Sequence, residues 1–277
     1  MRKVVFVGAG SMAEALIARI SANGIVKNGD IWVTNRRDGE RLNDLRERYG
    51  VTATYDKEAL IKGADAVVLA MKPKDAVAGL ESVMPYLTGK MLIISVIAGL
   101  SIGTIEGLVD KELAIARAMP NTSAAIGKSA TGLAFNSYVT GEQAAQAKAL
   151  FETVGLAAFV EESQLDAVTG LSGSGPAYIY YLVEAMEYSA LEIGLERDLA
   201  KDLIVQTLLG AAEMLRTSEK PSRQLRHEVT SPGGTTEAGI RVLENNQVHD
   251  SMIQCILEAT AHSKKLGSMI SRQFEAG

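Results

Sequence analysis

The sequence has a single cysteine, no long basic run and no apolar run of membrane-spanning length. Cys255 has no partner in the chain, which excludes an internal disulfide and fits a reducing compartment, so we expect a cytoplasmic protein. We interpret Cys255 as a small buried apolar residue on a helix rather than as a catalytic thiol. The net charge of -5 at pH 7 argues against a surface that binds nucleic acid.

The missing apolar run also excludes a membrane-spanning helix. Met1-Arg2-Lys3 leads straight into a predicted strand rather than into the apolar core of a signal peptide. The three histidines, His227, His249 and His262, lack the spacing of metal ligands, so the sequence predicts no metal site. With 47% hydrophobic and 22% charged residues, the 277-residue chain is typical of a soluble globular protein with one large or two moderate domains.

The first twenty residues predict a strand, a glycine turn and a helix. An apolar strand at 3–7 is followed by the glycine-rich residues 8–13, and apolar residues then recur at a helical interval. This is the context of the dinucleotide-binding fingerprint. Gly8 permits a tight turn, Gly10 lets the backbone approach a pyrophosphate, and Ala13 lets the helix pack closely on the strand. The first amides of the helix then face the phosphates.

The first half of the chain alternates strands with helices. Such βα units predict a Rossmann-type, mostly parallel sheet with right-handed crossovers. Asp56 is expected to cap one helix, and Pro73 to open the next. The predicted strands are 3–7, 31–34, 51–54, 65–71, 91–97, 112–119, 130–135 and 156–160.

The pattern changes near residue 162, after which only helices are predicted. We therefore expect a domain boundary there, with a cofactor-binding domain at 1–162 and an all-helical domain at 163–277. The segment Tyr178–Val183 is apolar nearly all round, and such a helix is buried on every side. Because so few helices can hardly cover it alone, we expect a homo-oligomer with helices packed between subunits. The predicted helices are 163–171, 176–193, 197–217, 223–229, 235–245 and 249–273.

The end of the second strand predicts the type of nicotinamide cofactor. The residue there meets the adenosine ribose, and an acidic residue would repel a 2′-phosphate. Here Asn35, Arg36 and Arg37 follow the strand, and no carboxylate comes before Asp38. Because arginine pairs with phosphate oxygens, this favours NADPH, with NADH a weaker cofactor. The alternative is a solvated arginine pair that opens a helix.

Two further loops follow predicted strands at the edge where ligands bind in such sheets. They are Ala70–Pro73 and Val96–Gly99, and we expect them to flank the ribose and the nicotinamide. Asp56 could contact the adenine side or serve only as a helix cap. The predicted cofactor contacts are Val7, Gly8, Ala9, Gly10, Ser11, Met12, Asn35, Arg36, Arg37, Asp56, Ala70, Met71, Lys72, Pro73, Val96, Ile97, Ala98 and Asn121.

A second glycine turn lies at residues 228–239. Pro232, Gly233 and Gly234 separate two predicted helices, which would expose the amides of 233 to 236 at a helix N-terminus. Such amides, with nearby hydroxyls, form a good receptor for a carboxylate. The alternative is an ordinary helical corner with hydroxyl caps.

Four motifs give the chain its resemblance to a known family. They are Val7–Ala13, Ala70–Pro73, Asp166–Ala177 and Val229–Thr236. Together they resemble pyrroline-5-carboxylate reductases, which catalyse the last step of proline biosynthesis. The first two motifs occur in many NADP enzymes, whereas the last two are specific to the family. The resemblance implies a Rossmann domain, a helical dimerisation domain and a homodimer able to assemble further.

The resemblance also implies a reaction and the residues that perform it. Hydride would pass from the nicotinamide to the C=N carbon of a cyclic imine that bears a carboxylate. Thr236 would hydrogen-bond the ring nitrogen and help to protonate it, and Glu219 would lie near the substrate as a second catalytic residue. The substrate-binding residues implied are Val229, Ser231, Gly233, Gly234 and Thr235.

Two other functions stay open at this point. A β-hydroxyacid dehydrogenase would need a helical lysine as proton donor, and Lys201 and Lys220 exist outside any glycine-hydroxyl motif. A non-enzymatic NADP-binding regulator would need an output module. For a reductase, the two glycine turns are expected to face one active site.

Overall fold

The structure, a computed structural model, describes residues 1–109 and 112–275, with side chains described through residue 272. Two compact units form. The first contains Met1–Pro176 and the chain from Leu257 onward, and the second contains Ala177–Ile256. Strands give way to helices near residue 162, whereas the first unit continues to Pro176. The domain boundary at residue 162 therefore stays a prediction.

The first unit is built on one eight-stranded sheet. Its strand order is β3-β2-β1-β4-β5-β6-β7-β8, which confirms the Rossmann-type prediction. Every neighbouring pair is parallel except β6 and β7, which are antiparallel. Only residues 120–128 connect these two strands, and a parallel return needs a longer crossover. The strands are β1 Val4–Val7, β2 Ile31–Thr34, β3 Thr52–Ala53, β4 Ala66–Leu69, β5 Leu92–Ser95, β6 Ala114–Met119, β7 Ser129–Phe135 and β8 Gly155–Phe159.

Helices occupy every predicted helical segment. Their bounds are α1 Ser11–Asn23, α2 Gly39–Tyr49, α3 Lys57–Ile61, α4 Ala76–Glu81, α5 Ile102–Leu108, α6 Gly141–Glu152, α7 Leu165–Val168, α8 Gly175–Glu192, α9 Arg197–Thr217, α10 Ser222–Glu228, α11 Thr235–Asn245 and α12 Val248–Glu275. A turn of π-helix, Thr169–Gly173, follows α7. Because α8 begins at Gly175, Pro176 is the second residue of the helix and not the first, as predicted. It still lies within the first turn, where a missing N–H costs no hydrogen bond.

The sheet of the first unit separates two apolar cores. One face packs against α1, α2 and α6, with fully buried Leu16, Leu45 and Phe151. The other packs against α3, α4, α5 and the end of α12, where Ile270 joins the core. Side chains that alternate along β1 supply both cores. Both faces are therefore covered, as parallel sheets require.

Local capping explains where several helices begin. Asp38, Asp56, Ser101 and Thr140 each accept a hydrogen bond from the backbone N–H three residues later. These bonds satisfy amides that a helix start leaves without partners. The cap predicted at Asp56 is thereby confirmed.

The helices of the second unit expose much apolar surface in the single chain. Tyr180 is 60% exposed and Tyr181 is 73% exposed, so the single chain does not bury the helix that contains Tyr178–Val183. Cys255 is also exposed, and the prediction that it is buried is wrong for the single chain. The cause is the same for both: the chain has too few helices to cover these faces. None of the described helices combines the length and the apolar character that a membrane span requires.

Substituting Tyr181 tests whether this surface is an interface between copies. We expect the wild-type chain to show a multiple of its 29.5 kDa mass in light scattering at micromolar concentration. Tyr181→Glu should shift the mass towards 29.5 kDa, because a buried charge without a partner costs several kcal/mol, on the order of 3 or more. Tyr86→Glu, at a half-exposed position of the first unit, is the control. A monomeric wild type would contradict the prediction.

Candidate active site

The first glycine turn joins the carboxyl ends of three adjacent strands. The Gly8 N–H donates to the Thr34 carbonyl over 2.9 Å, and the Ala70 N–H donates to the Val7 carbonyl over 2.8 Å. Gly8 has a φ of 115°, and a Cβ there would lie 2.5 Å from the Ala70 oxygen. No other residue fits, which confirms that Gly8 is required for the turn.

The start of α1 leaves room and unpaired donors for an anion. A Cβ added at Gly10 would meet nothing within 4 Å. The first N–H of the helix that has a backbone acceptor is that of Glu14, which donates to the Gly10 carbonyl over 2.9 Å. The amides of Ser11, Met12 and Ala13 therefore have no backbone acceptor within the described chain. Together with the helix dipole, this arrangement fits the pyrophosphate of a dinucleotide.

A cluster of side chains that was not predicted from the sequence supports the glycine turn. Arg41 donates through Nε to the Ala9 carbonyl over 3.0 Å and pairs with the Glu14 carboxylate. Tyr49 donates to the same carboxylate over 3.0 Å, and Arg48 forms a further ion pair with it. These bonds connect α2 to the turn before α1. In the sequence, this cluster is indicated only by Glu14 in the first turn of α1 and by Arg41 and Arg48, which are seven residues apart on α2.

The Glu14 carboxyl is more acidic than usual in the folded chain. Its partial burial is the largest single influence and raises the pKa. The hydrogen bonds from Arg41 and Tyr49 and the charges of Arg41 and Arg48 together outweigh burial, so the pKa of Glu14 is lowered from 4.5.

At the end of β2, some polar side chains are hydrogen-bonded within the chain, whereas others are exposed to solvent. Asn35 Oδ1 accepts from the Asp38 N–H over 2.9 Å and from the Tyr55 hydroxyl over 3.2 Å. Asp38 caps α2, so its carboxylate is directed to the helix start. The Arg36 side chain is 82% exposed and lies 3.6 Å from Asp75. Arg37 is exposed and has no polar partner in the described part of the chain, so both cations can reach a ligand.

Lys57 is a further cation at this strand end that sequence reasoning missed. Its Nζ donates to the Thr34 hydroxyl over 2.7 Å, and burial lowers the pKa of its ammonium group. The neighbouring Asp56 accepts from the Ala59 N–H over 3.0 Å as the cap of α3. Asp56 thus has the structural role that the sequence left open, and its contact with a cofactor stays a prediction.

The two other predicted cofactor loops follow neighbouring strands: Ala70–Pro73 follows β4, which lies next to β1, and Val96–Gly99 follows β5, which lies next to β4. The Val96 N–H donates to the Leu69 carbonyl over 3.0 Å, which holds the two loops side by side. Lys72 and Pro73 are exposed, whereas Ile97 is 3% exposed and belongs to the core. The Ile97 side chain therefore packs inwards, which leaves its backbone for a ligand.

Asn121 is engaged within the chain. Its Nδ2 donates to the Ser172 carbonyl over 3.0 Å, and its Oδ1 accepts from the Ser123 N–H over 3.1 Å. Its backbone N–H donates to the Ser129 hydroxyl over 3.0 Å. Each atom of the amide keeps capacity for one more hydrogen bond, and the predicted contact of Asn121 with the cofactor stays a prediction.

The second glycine turn, in the second unit, is more closed than the sequence suggested. Gly234 precedes α11, and its N–H donates to the Ser231 carbonyl over 3.0 Å. The Gly233 N–H donates to the Glu237 carboxylate over 2.9 Å. The prediction that the amides of 233 to 236 are all exposed is therefore wrong for the first two. Those of Thr235 and Thr236 have no backbone acceptor in the described chain, as expected for the first turn of a helix.

The other predicted substrate residues are accessible. Val229 is 67% exposed, and the side chains of Ser231, Thr235 and Thr236 are exposed. Glu219 lies exposed between α9 and α10, in the same unit. Whether the two glycine turns face one active site stays a prediction.

Neither lysine that could serve as the proton donor of a dehydrogenase lies in a glycine-hydroxyl motif. Lys220 Nζ lies 2.8 Å from the Glu228 carboxylate, and Lys201 is exposed on α9. Among the described residues, no group of three or more His, Cys, Asp or Glu side chains could hold a metal ion.

Comparisons with known proteins now identify the class of the chain. Residues 3–99 match the family described as NADP oxidoreductase, coenzyme F420-dependent, and residues 162–266 match pyrroline-5-carboxylate reductase dimerisation. With the Rossmann-type sheet and its anion-binding turn, these matches define an NAD(P)-dependent oxidoreductase that self-associates.

Relatives over the whole chain define the family. Pyrroline-5-carboxylate reductase 2 of Bacillus subtilis (strain 168) is 48% identical over 266 residues, which are 96% of this chain and 95% of the relative. A solved pyrroline-5-carboxylate reductase from Coxiella burnetii is 38% identical with a TM-score of 0.88, covering 96% of this chain and 98% of that one. The Plasmodium falciparum pyrroline carboxylate reductase, solved with NADP bound, is 30% identical with the same score and the same coverage. The chain belongs to the pyrroline-5-carboxylate reductase family, which decides against both alternative functions.

The Glu14 cluster should make stability depend on pH. Because the pKa of Glu14 is lowered on folding, its ion pairs stabilise the fold above the ordinary pKa of 4.5 and lose this effect as the pH falls through the folded value. At pH 7 we expect Glu14→Gln to reduce the free energy of unfolding by about 1 kcal/mol, allowing for solvent screening.

Denaturant unfolding at pH 7 and at pH 3 measures this difference. Glu47→Gln, at an exposed position on α2, is the control. A Glu14→Gln effect of equal size at both pH values would show that the carboxylate charge is not responsible.

Proposed function

We propose that the chain reduces 1-pyrroline-5-carboxylate, a cyclic imine, to L-proline with NADPH, as the last step of proline biosynthesis. One observation carries the proposal: the family-specific turn Val229–Thr236 provides free helix amides beside exposed hydroxyls in a chain that belongs to this family throughout its length. The substrate carboxylate is an anion of the kind that a helix N-terminus receives.

The first unit supplies the cofactor site in this proposal. The amides at the start of α1 bind the pyrophosphate, and the loops Ala70–Pro73 and Val96–Ala98 flank the ribose and the nicotinamide. When bound, the nicotinamide supplies a hydride. The donor pattern around Gly8 and Gly10 supports this role, because the turn has open space and unpaired N–H groups at the same end.

The second unit supplies the substrate site. Amides of the turn that contains Ser231, Gly233, Gly234 and Thr235 hold the substrate carboxylate. The Thr236 hydroxyl hydrogen-bonds the ring nitrogen and helps to protonate it as the hydride reaches the C=N carbon, so one hydride and one proton saturate the double bond. We also propose that Glu219 and Val229 lie near the substrate.

The 2′-phosphate of NADPH is recognised by the cations that follow β2. Arg36 and Arg37 are both exposed, and the nearby carboxylates Asp38 and Asp56 are used as helix caps. Lys57 adds positive charge at the end of β2, where its Nζ donates to the Thr34 hydroxyl. Asp75 lies 3.6 Å from Arg36, whereas Arg37 has no acidic partner among the described residues. The positive charge of Arg37 therefore favours a phosphate over a ribose hydroxyl.

We further propose that the dimer can assemble into larger homo-oligomers and that the protein works in the cytoplasm. The large exposed apolar area of the helical unit supports the first point. A single cysteine, which fits a reducing compartment, supports the second.

Replacing Arg37 tests the choice of cofactor. Arg37→Gln should raise KM for NADPH about tenfold and leave KM for NADH nearly unchanged, because one charge-assisted hydrogen bond to phosphate is lost. Steady-state kinetics with both cofactors measure this. Arg46→Gln, at an exposed position of α2, is the matched control. A wild-type KM lower for NADH than for NADPH would contradict the assignment.

Replacing Thr236 tests the proton donor and the reaction itself. Thr236→Ala should lower kcat/KM for pyrroline-5-carboxylate about a hundredfold with little change in NADPH affinity, since a positioned donor contributes in this range. NADPH oxidation on addition of the imine, with hydroxy acids and NADP⁺ as a comparison panel, measures the activity.

Thr236→Ser should recover most of the rate, because it keeps the hydroxyl. Thr207→Ala removes an exposed hydroxyl from α9 and is the control. An unchanged kcat/KM in Thr236→Ala would remove Thr236 from the mechanism.

A further inference from the structure

The second glycine turn already holds a carboxylate from its own helix. The Gly233 N–H donates to Glu237 Oε2 over 2.9 Å. Gly233 belongs to the turn that, under the proposed function, receives the carboxylate of the substrate. A carboxylate oxygen of Glu237 therefore satisfies one of the donors offered to the substrate.

The usual capping arrangement does not explain this contact. Gly234 is the N-cap of α11, which makes Glu237 the third residue of the helix. A glutamate at that position commonly accepts from the N-cap amide. Here the Gly234 N–H donates to the Ser231 carbonyl over 3.0 Å, so Glu237 reaches one residue further back. Gly233 presents its N–H to Glu237 with a φ of 75°, a conformation that glycine adopts readily.

A second partner is available to the same oxygen. Arg241, one helical turn later, has its guanidinium 3.6 Å from Glu237 Oε2, and both side chains are partly exposed. A small movement of Glu237 away from Gly233 keeps it close to this positive charge. The glutamate can therefore leave the turn without becoming an isolated charge.

We propose that Glu237 sets the affinity for the substrate by competing with the substrate carboxylate at the Gly233 amide. The inference rests on the proposed function. In the empty site Glu237 satisfies the amide, and the arriving substrate displaces it towards Arg241. The negative charge of Glu237 also opposes the approach of a second anion. Both effects raise KM for the imine and leave the chemical step largely unaffected.

Substituting Glu237 tests the proposal through the separation of KM from kcat. Glu237→Ala removes the competing acceptor and the charge, and we expect KM for pyrroline-5-carboxylate to fall about three- to tenfold, as expected for one hydrogen bond. Glu237→Gln keeps a weaker, neutral acceptor and should lower KM by a smaller factor. The kcat value and KM for NADPH should change less than about twofold in both variants.

Glu244→Gln is the matched control, because it removes the same charge from an exposed position on the same helix. Its KM should equal that of the wild type. An unchanged or higher KM in both Glu237 variants would overturn the inference while wild-type turnover upholds the proposed function. A wild type that does not reduce the imine would overturn both.

Discussion

Close contact between Gly8 and the backbone of Ala70 is the constraint on which the cofactor half of the molecule depends. A Cβ at Gly8 would lie 2.5 Å from the Ala70 oxygen. The absence of a side chain lets β1, β2 and β4 end at the same level and lets α1 start directly above them. The unpaired amides of α1 acquire their direction from this arrangement. Arg41 then holds the carbonyl of Ala9, the residue after the constraint.

Both proposed ligand sites are helix N-termini, but they differ in how many of their N–H groups are already hydrogen-bonded within the chain. A helix N-terminus offers donors that the helix itself cannot satisfy. At α1 these donors have no backbone acceptor in the described chain, and the surrounding acid, Glu14, is drawn away by Arg41, Arg48 and Tyr49. At α11 the corresponding acid, Glu237, faces the turn. The first site is thus cleared of negative charge, whereas the second retains some.

Features coded by neighbouring residues could be predicted from the sequence. Three such features agree with the structure: the strand Ile31–Thr34, the cap at Asp56 and the whole series of C-terminal helices. Contacts between distant segments could not be predicted. The bonds from Lys57 to Thr34 and from Arg41 to the Ala9 carbonyl join segments 23 and 32 residues apart, which no short pattern records. The antiparallel β7 followed from a connection too short for a crossover, which the repeated βα pattern obscured.

The path of the last helix has a consequence for the engineering of the chain. The first unit includes both Met1–Pro176 and the chain from Leu257 onward, so the helical unit is an insertion within it rather than an appendage. A Cβ at Gly99 would lie 3.2 Å from the Gly267 backbone, and Ile270 completes the core beside it. A fragment ending at residue 162 would lack this wall. The helical unit is therefore better exchanged as residues 177 to 256, with both fusion points designed to keep α8 and α12 continuous.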